Sequence, residues 1–174
     1  MILCIVIIVA AATVPIGTAT RYNLGHPATA GDIKACDISV APDGAGLPEG
    51  SGTALQGRAV YEAQCAICHG ARGEGNADYP PLAGGRGTLN TDKAVLTVGS
   101  YWPYATTVWD YIHRAMPYRN PGSLTPNEVY SVTAYVLFMN GIVGLRDQVT
   151  AKSIPALKMP NRDGFVPDPR PDVK

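Results

Sequence analysis

Five consecutive residues constrain this chain more than anything else in it: Cys65-Ala66-Ile67-Cys68-His69, set in the stretch QCAICHG. Two thiols three positions apart stand about one helical turn from each other, and an imidazole follows directly. A thioredoxin-like redox pair needs a βαβ surround that the flanking sequence lacks. A structural zinc site needs a second ligand pair, and none is spaced for it. In an exported chain, Cys-x-x-Cys-His means covalent attachment of haem c. The thiols add to the haem vinyl groups as thioethers, and His69 is placed to swing under the iron as proximal ligand. The motif occurs once, so one covalent haem c is expected.

Export is itself read from the sequence. Residues 1–19, MILCIVIIVAAATVPIGTA, are almost wholly apolar. Gly17 and Ala19 suit a cleavage point, as in a signal peptide. At this length the segment would also just span a bilayer as a retained N-terminal anchor. It has no basic n-region, so only the α-amino group supplies positive charge. Either way the rest of the chain is expected in the periplasm, with membrane contact only if residues 1–19 stay attached. The 14 basic and 14 acidic residues balance, and no basic run stands out, which argues against a nucleic-acid partner. Of four cysteines, Cys4 lies in the apolar start and two belong to the motif, so a disulfide scaffold does not fit. Cys36 is expected to be a small buried side chain, with a reactive thiol or an intermolecular bridge as the alternative.

The fold class expected is all-α. Residues 20–52 are rich in Gly, Pro and Asp without an apolar period, which reads as an irregular arm laid over the domain. A first helix starts near Ser51 or Thr53 and runs into Cys65, with Leu55, Ala59, Tyr61 and Ala66 on its face. Residues 70–100 are loop. A second helix covers 106–115, where Val108, Tyr111 and Ile112 share a face. The third has the clearest start: Thr125 caps, Pro126 occupies the first turn, and Glu128 completes a capping box. Val129, Val132, Val136 and Met139 repeat at helical spacing, and Gly141 ends the helix. The organisation is thus an arm at 20–52, a haem domain at 53–142 and an irregular extension at 143–174.

The distal side of the iron can be held by a thioether or a second imidazole. Met116, Met139, Met159, His113 and His26 are the candidates. Met139 falls on the apolar stripe of the last helix and reads as core. Met116 precedes Pro117 in a loop between two helices, from which a side chain can be aimed at iron, and it is favoured. Met159 precedes a proline in the tail, and His113 reads as a helix-face residue. The proximal imidazole needs an acceptor for its other N–H. Tyr79-Pro80-Pro81-Leu82 can supply a carbonyl from Pro80 or Pro81, with Leu82 against the porphyrin. A plain surface turn is the alternative. Trp102, Tyr104, Trp109 and Tyr111 wall the pocket, bond a propionate or fill the core.

The segments CAICHG, PPLAGG, RAMP and LTPNEVYSVTAYVLFMNG together resemble a class I cytochrome c domain over about residues 53–142. The run VGSYWPYATTVWDYIHRAMPYRNPGSLTPNEVYSVTAYVLFMNGIV and both flanks resemble, more narrowly, the cytochrome subunits of Sox-type sulfane and sulfite dehydrogenases, over about residues 22–173. That resemblance implies roughly three to five helices around one covalently bound haem, with long irregular terminal extensions. It carries the thioether cysteines onto Cys65 and Cys68, the proximal ligand onto His69 and the distal ligand onto Met116. It implies a molybdenum-cofactor dehydrogenase subunit as electron donor and another cytochrome or a terminal oxidase as acceptor. The chain itself would then be a non-catalytic electron-transfer subunit in sulfur-compound oxidation. Longer relatives carry two haems where this chain has one site, which leaves open a monohaem sulfite dehydrogenase subunit or a truncated relative. Two further readings stand beside this one. The first is a haem enzyme acting on a sulfur substrate at its own iron. The second is a membrane-tethered cytochrome of another respiratory complex.

Overall fold

The computed structural model describes residues 22 and 24–170, so the expectation for residues 1–19 lies outside the described residues. The chain divides into a unit ending at Cys36 and a unit beginning at Asp37. In the first, a short helix α1, Ala30–Cys36, replaces part of the expected irregular arm. It forms because Thr29 and Asp32 cap it reciprocally. The Asp32 amide donates to the Thr29 hydroxyl, while the Thr29 amide and hydroxyl donate to the Asp32 carboxylate. No residue of α1 is buried, and Cys36 at its end is exposed. The expected burial of Cys36 is therefore corrected: a seven-residue helix with no buried face has nothing to bury it against.

The second unit is built on α2, Ala54–Gln64, α4, Ala105–Ala115, and α5, Pro126–Met139, with a single turn α3, Ala66–His69, holding the sequence motif. Helix α2 begins at a capping box between Thr53 and Gln56. Its buried face is Ala54, Gly57 and Tyr61, while Leu55 and Ala59 point outward, which corrects the expected face. The reason is the crossing with α5. The Gly57 backbone lies directly on the Ser131–Val132 backbone, and this close approach is possible only without a side chain. Helix α5 begins as expected, with Thr125 accepting from the Glu128 amide and Glu128 accepting from Thr125. Every residue from Val129 to Leu137 is buried, so it is the central helix rather than a one-sided one. Gly141 then adopts a left-handed φ of 65°.

The chain from Val40 onward is hydrogen-bonded to this core. The Val40 amide donates to the buried Asp110 carboxylate, which also pairs with Arg114. The Thr106 hydroxyl donates to the Pro42 carbonyl and the Tyr130 hydroxyl to the Pro48 carbonyl. Two short strands, β1 at Ser51–Gly52 and β2 at Val149–Thr150, pair antiparallel and tie the two extensions together across α5. The tail is less irregular than its composition suggests. It makes a 3-10 turn at Ile154–Ala156, and Ile154 and Met159 are fully buried in the main core. Among the described residues no helix is long and apolar enough to cross a membrane.

Candidate functional site

The three helices and the 70–102 loops enclose a cavity of about 410 Å³ that opens to solvent. Its walls are mostly apolar. Val108, Tyr111 and Ile112 come from α4, Val132 and Val136 from α5, and Leu82, Leu96, Val98 and Trp102 from the loops. Cys65, Cys68, His69, Pro80, Leu82 and Met116 all line this one cavity. Because Cys65 stands at the junction of α2 and α3, the two thiols sit on a helical turn, with the Cys68 and His69 amides donating to the Cys65 carbonyl. Burial and the nearby Cys68 push the Cys65 thiol up to about 11. Tyr61, whose own ionisation burial also pushes well up, donates its hydroxyl to the Gly70 carbonyl at 2.8 Å and fixes the chain just after the histidine.

His69 has one ring nitrogen committed. Its Nδ1 lies 3.1 Å from the Pro80 carbonyl oxygen. A carbonyl can only accept, so the neutral ring carries its proton on Nδ1 and leaves the Nε2 lone pair for a metal. Of the two prolines left open by the sequence, it is Pro80 that supplies the acceptor. Leu82 is held on the cavity wall by three backbone anchors. Its amide donates to Gly73, and its carbonyl accepts from Val98 and from the Asn140 side chain at 3.0 Å. An apolar slot with two thiols, one oriented imidazole and one thioether on its lining fits a covalently attached porphyrin, and once both thiols are taken up as thioethers His69 and Met116 are the groups left with donors suited to iron.

The other distal candidates go elsewhere. Met159 is buried in the core and Met139 packs against that core, and neither lines the cavity. His113 stacks on Trp109 at 4.8 Å and is likewise absent from the lining. His26 belongs to the first unit. Of the four aromatics, Trp102 and Tyr111 wall the cavity, in edge contact at 5.8 Å. Trp109 is core beside Tyr130, and Tyr104 carries the Arg162 guanidinium at 4.3 Å. Sequence reasoning missed the Tyr61 hydroxyl, Thr97 and Tyr118 on the lining. Only Tyr118, two residues past Met116, carried a local signal.

A helical fold that wraps one Cys-x-x-Cys-His turn in an apolar slot defines a c-type cytochrome. The family model described as cytochrome c matches residues 54–140, half the chain, and the chain belongs to that family. Its prosthetic group is accordingly a covalent haem c. More particularly, the chain resembles the sulfane dehydrogenase SoxCD from Paracoccus pantotrophus. The match has 41% identity and a TM-score of 0.79, covering 87% of this chain and 75% of that one. It is also 34% identical over 89 residues to the thiosulfate dehydrogenase of Allochromatium vinosum, and 36% identical over 87 residues to that of Thiomonas intermedia. Those matches cover 48% and 47% of this chain but only 30% and 25% of the relatives, so the chain spans less than a third of their length.

Proposed function

We propose that the chain is a monohaem cytochrome with thioethers at Cys65 and Cys68 and axial ligands from His69 Nε2 and Met116 Sδ. It would pass single electrons as the accepting subunit of a molybdenum-dependent sulfite or sulfane dehydrogenase in the periplasm, and hand them to another cytochrome or a terminal oxidase. The observation that carries the ligand reading is that His69 and Met116, far apart in sequence, line the same cavity while Met139, Met159 and His113 do not. The dehydrogenase reading is supported by the likeness to SoxCD over most of both chains. When bound, the haem supplies one-electron redox chemistry. The protein's own groups would hold the ring against apolar walls and orient the proximal imidazole through Pro80, and with His69 and Met116 both bound to iron no position would be left for a substrate.

Met116→Ala tests the ligand reading. The oxidised variant loses the Met–iron charge-transfer band, and survival of that band refutes the assignment. The partner is tested by metal content of the protein purified gently from its native host. Stoichiometric molybdenum held through gel filtration supports the complex, and iron alone counts against it. Catalysis at the chain's own iron is a second reading, favoured by the similarity to two thiosulfate dehydrogenases. It requires turnover of a sulfur substrate by the isolated chain.

A further inference from the structure

The loop between Gly70 and Leu82 is closed by backbone bonds from Gly75 to the His69 carbonyl and from Leu82 to the Gly73 carbonyl, and by one side chain. Asn76 uses both ends of its amide: Nδ2 donates to the Cys68 carbonyl at 3.1 Å, and Oδ1 accepts from the Asp78 amide at 2.9 Å and the Tyr79 amide at 3.0 Å. Its backbone amide donates to the Tyr79 carbonyl at 2.9 Å. The residue thus grips the haem-binding turn on one side and, on the other, the two residues immediately before Pro80. Gly75, at φ 69°, brings the strands so close that a Cβ there would meet the Pro81 nitrogen and Tyr79 carbonyl oxygen at 2.6 Å. The Pro80 carbonyl that this loop delivers is the partner of His69 Nδ1.

We propose that Asn76 is a positioning residue for the proximal imidazole. It fixes the Pro80 carbonyl relative to the Cys68–His69 turn, and so sets the Nδ1–H···O bond and the donor strength of Nε2. The inference rests on the reading of His69 as axial ligand. A shorter, straighter bond from Nδ1–H makes the imidazole a stronger donor, which favours ferric over ferrous iron. Loosening the loop weakens that bond and raises the reduction potential. Asparagine suits the task because one planar group must both donate and accept. Aspartate can accept from the turn amides but has no donor for the Cys68 carbonyl, and serine has one short-armed oxygen for both sides where asparagine has two separate atoms. The Asn76 side chain is exposed, so its bonds add little to global stability. Its effect is on geometry and is read at the iron.

The test uses haem-loaded protein carrying Asn76→Ala or Asn76→Ser, with three readouts: midpoint potential, thermal midpoint, and the NMR resonance of the His69 ring N–H in the oxidised state. Asn76→Ala is expected to raise the reduction equilibrium about threefold, ~28 mV at 59 mV per decade for one electron. It moves the ring N–H resonance and leaves the thermal midpoint nearly unchanged. Asn76→Ser, which keeps an acceptor for the turn, shifts the potential less and in the same direction. An unchanged or lower potential in both variants overturns the proposal, as does a raised potential with an unmoved ring N–H. If Asn76→Ala does not mature, Asn76→Ser is judged by the same criteria. The ligand reading fails separately: it falls if the wild-type protein shows no hyperfine-shifted His69 ring N–H at all.

Discussion

Replacing Gly57 with alanine sets two known effects against each other, and the structure decides which wins. Gly57 lies in the middle of α2, where alanine favours helix by about 1 kcal/mol. On propensity alone the variant is stabilised. The added methyl, however, would fall within the van der Waals surface of the Ser131 carbonyl group and against the Val132 amide nitrogen of α5. These are backbone atoms in the buried stretch of α5, so no side chain can rotate away, and the two helices must separate. Overpacking of this kind costs about 1–3 kcal/mol, and an immovable backbone places this case at the upper end. The net effect is a loss of about 2 kcal/mol, a fall in thermal midpoint of about 4–8 °C for a chain of this size. The damage reaches the site, because α2 carries Tyr61 and leads into Cys65, while α5 carries Val132 and Val136 on the facing wall. Thermal unfolding of the haem-loaded variant followed by circular dichroism is the assay. A midpoint equal to or above that of the wild type refutes the reasoning, since propensity would then have prevailed over contact.

Two further outcomes follow from the caps and the tail. The Thr125 amide and hydroxyl hold the Glu128 carboxyl below the usual carboxylate range. Its stabilisation is therefore complete above the ordinary value and disappears as pH falls through the folded one. Thermal midpoints of wild type and Glu128→Gln should converge on acidification, and curves that stay parallel count against the cap. Met159→Ala, which opens a hole in the core, should cost about 2–5 kcal/mol in a denaturant titration while the Met–iron band stays intact. Loss of that band would make Met159 the ligand.

What could be read from the sequence was what is decided within a few residues. The Thr125–Glu128 box and the Pro126 start are local hydrogen-bond and dihedral facts, and they appear in the structure as written. The Cys-x-x-Cys-His turn is likewise local, and covalent chemistry leaves it few alternatives. The face of α2 was misread because it is made by small residues. Ala54 and Gly57 mark close helix approach, and no hydrophobic period announces them. Ile154 and Met159 are buried in a tail that is tied back by a two-residue ladder, Val149 and Thr150 with Gly52 and Ser51, partners about a hundred positions away. Helix α1 escaped notice for the opposite reason, since a capping box alone sustains it without any apolar stripe. Within the site, Tyr61 and Asn76 act on backbone carbonyls, and such partners carry no residue-type signal.

The fold and the site are one object here, and this makes a last prediction about the chain before haem is attached. The cavity takes the centre of the unit, between α2, α4 and α5, and its lining includes Tyr61, Val98, Val108, Val132 and Val136, all among the most buried residues. At about 24 cal/mol per Å³, a void of about 410 Å³ would cost about 10 kcal/mol. That is a ceiling, because the cavity opens to solvent and its walls can relax. Even half of it is comparable to the whole stability of an ordinary domain, about 5–15 kcal/mol. A Cys65→Ser, Cys68→Ser double variant, unable to form either thioether, is therefore expected to lack native packing. The near-UV circular dichroism of Trp102 and Trp109 should be lost, and thermal unfolding should be broad while some helical signal persists. A sharp, cooperative transition with native near-UV signal in the haem-free variant would show that the three helices pack without the porphyrin. The apolar lining would then be a binding surface on a preformed fold rather than part of its core.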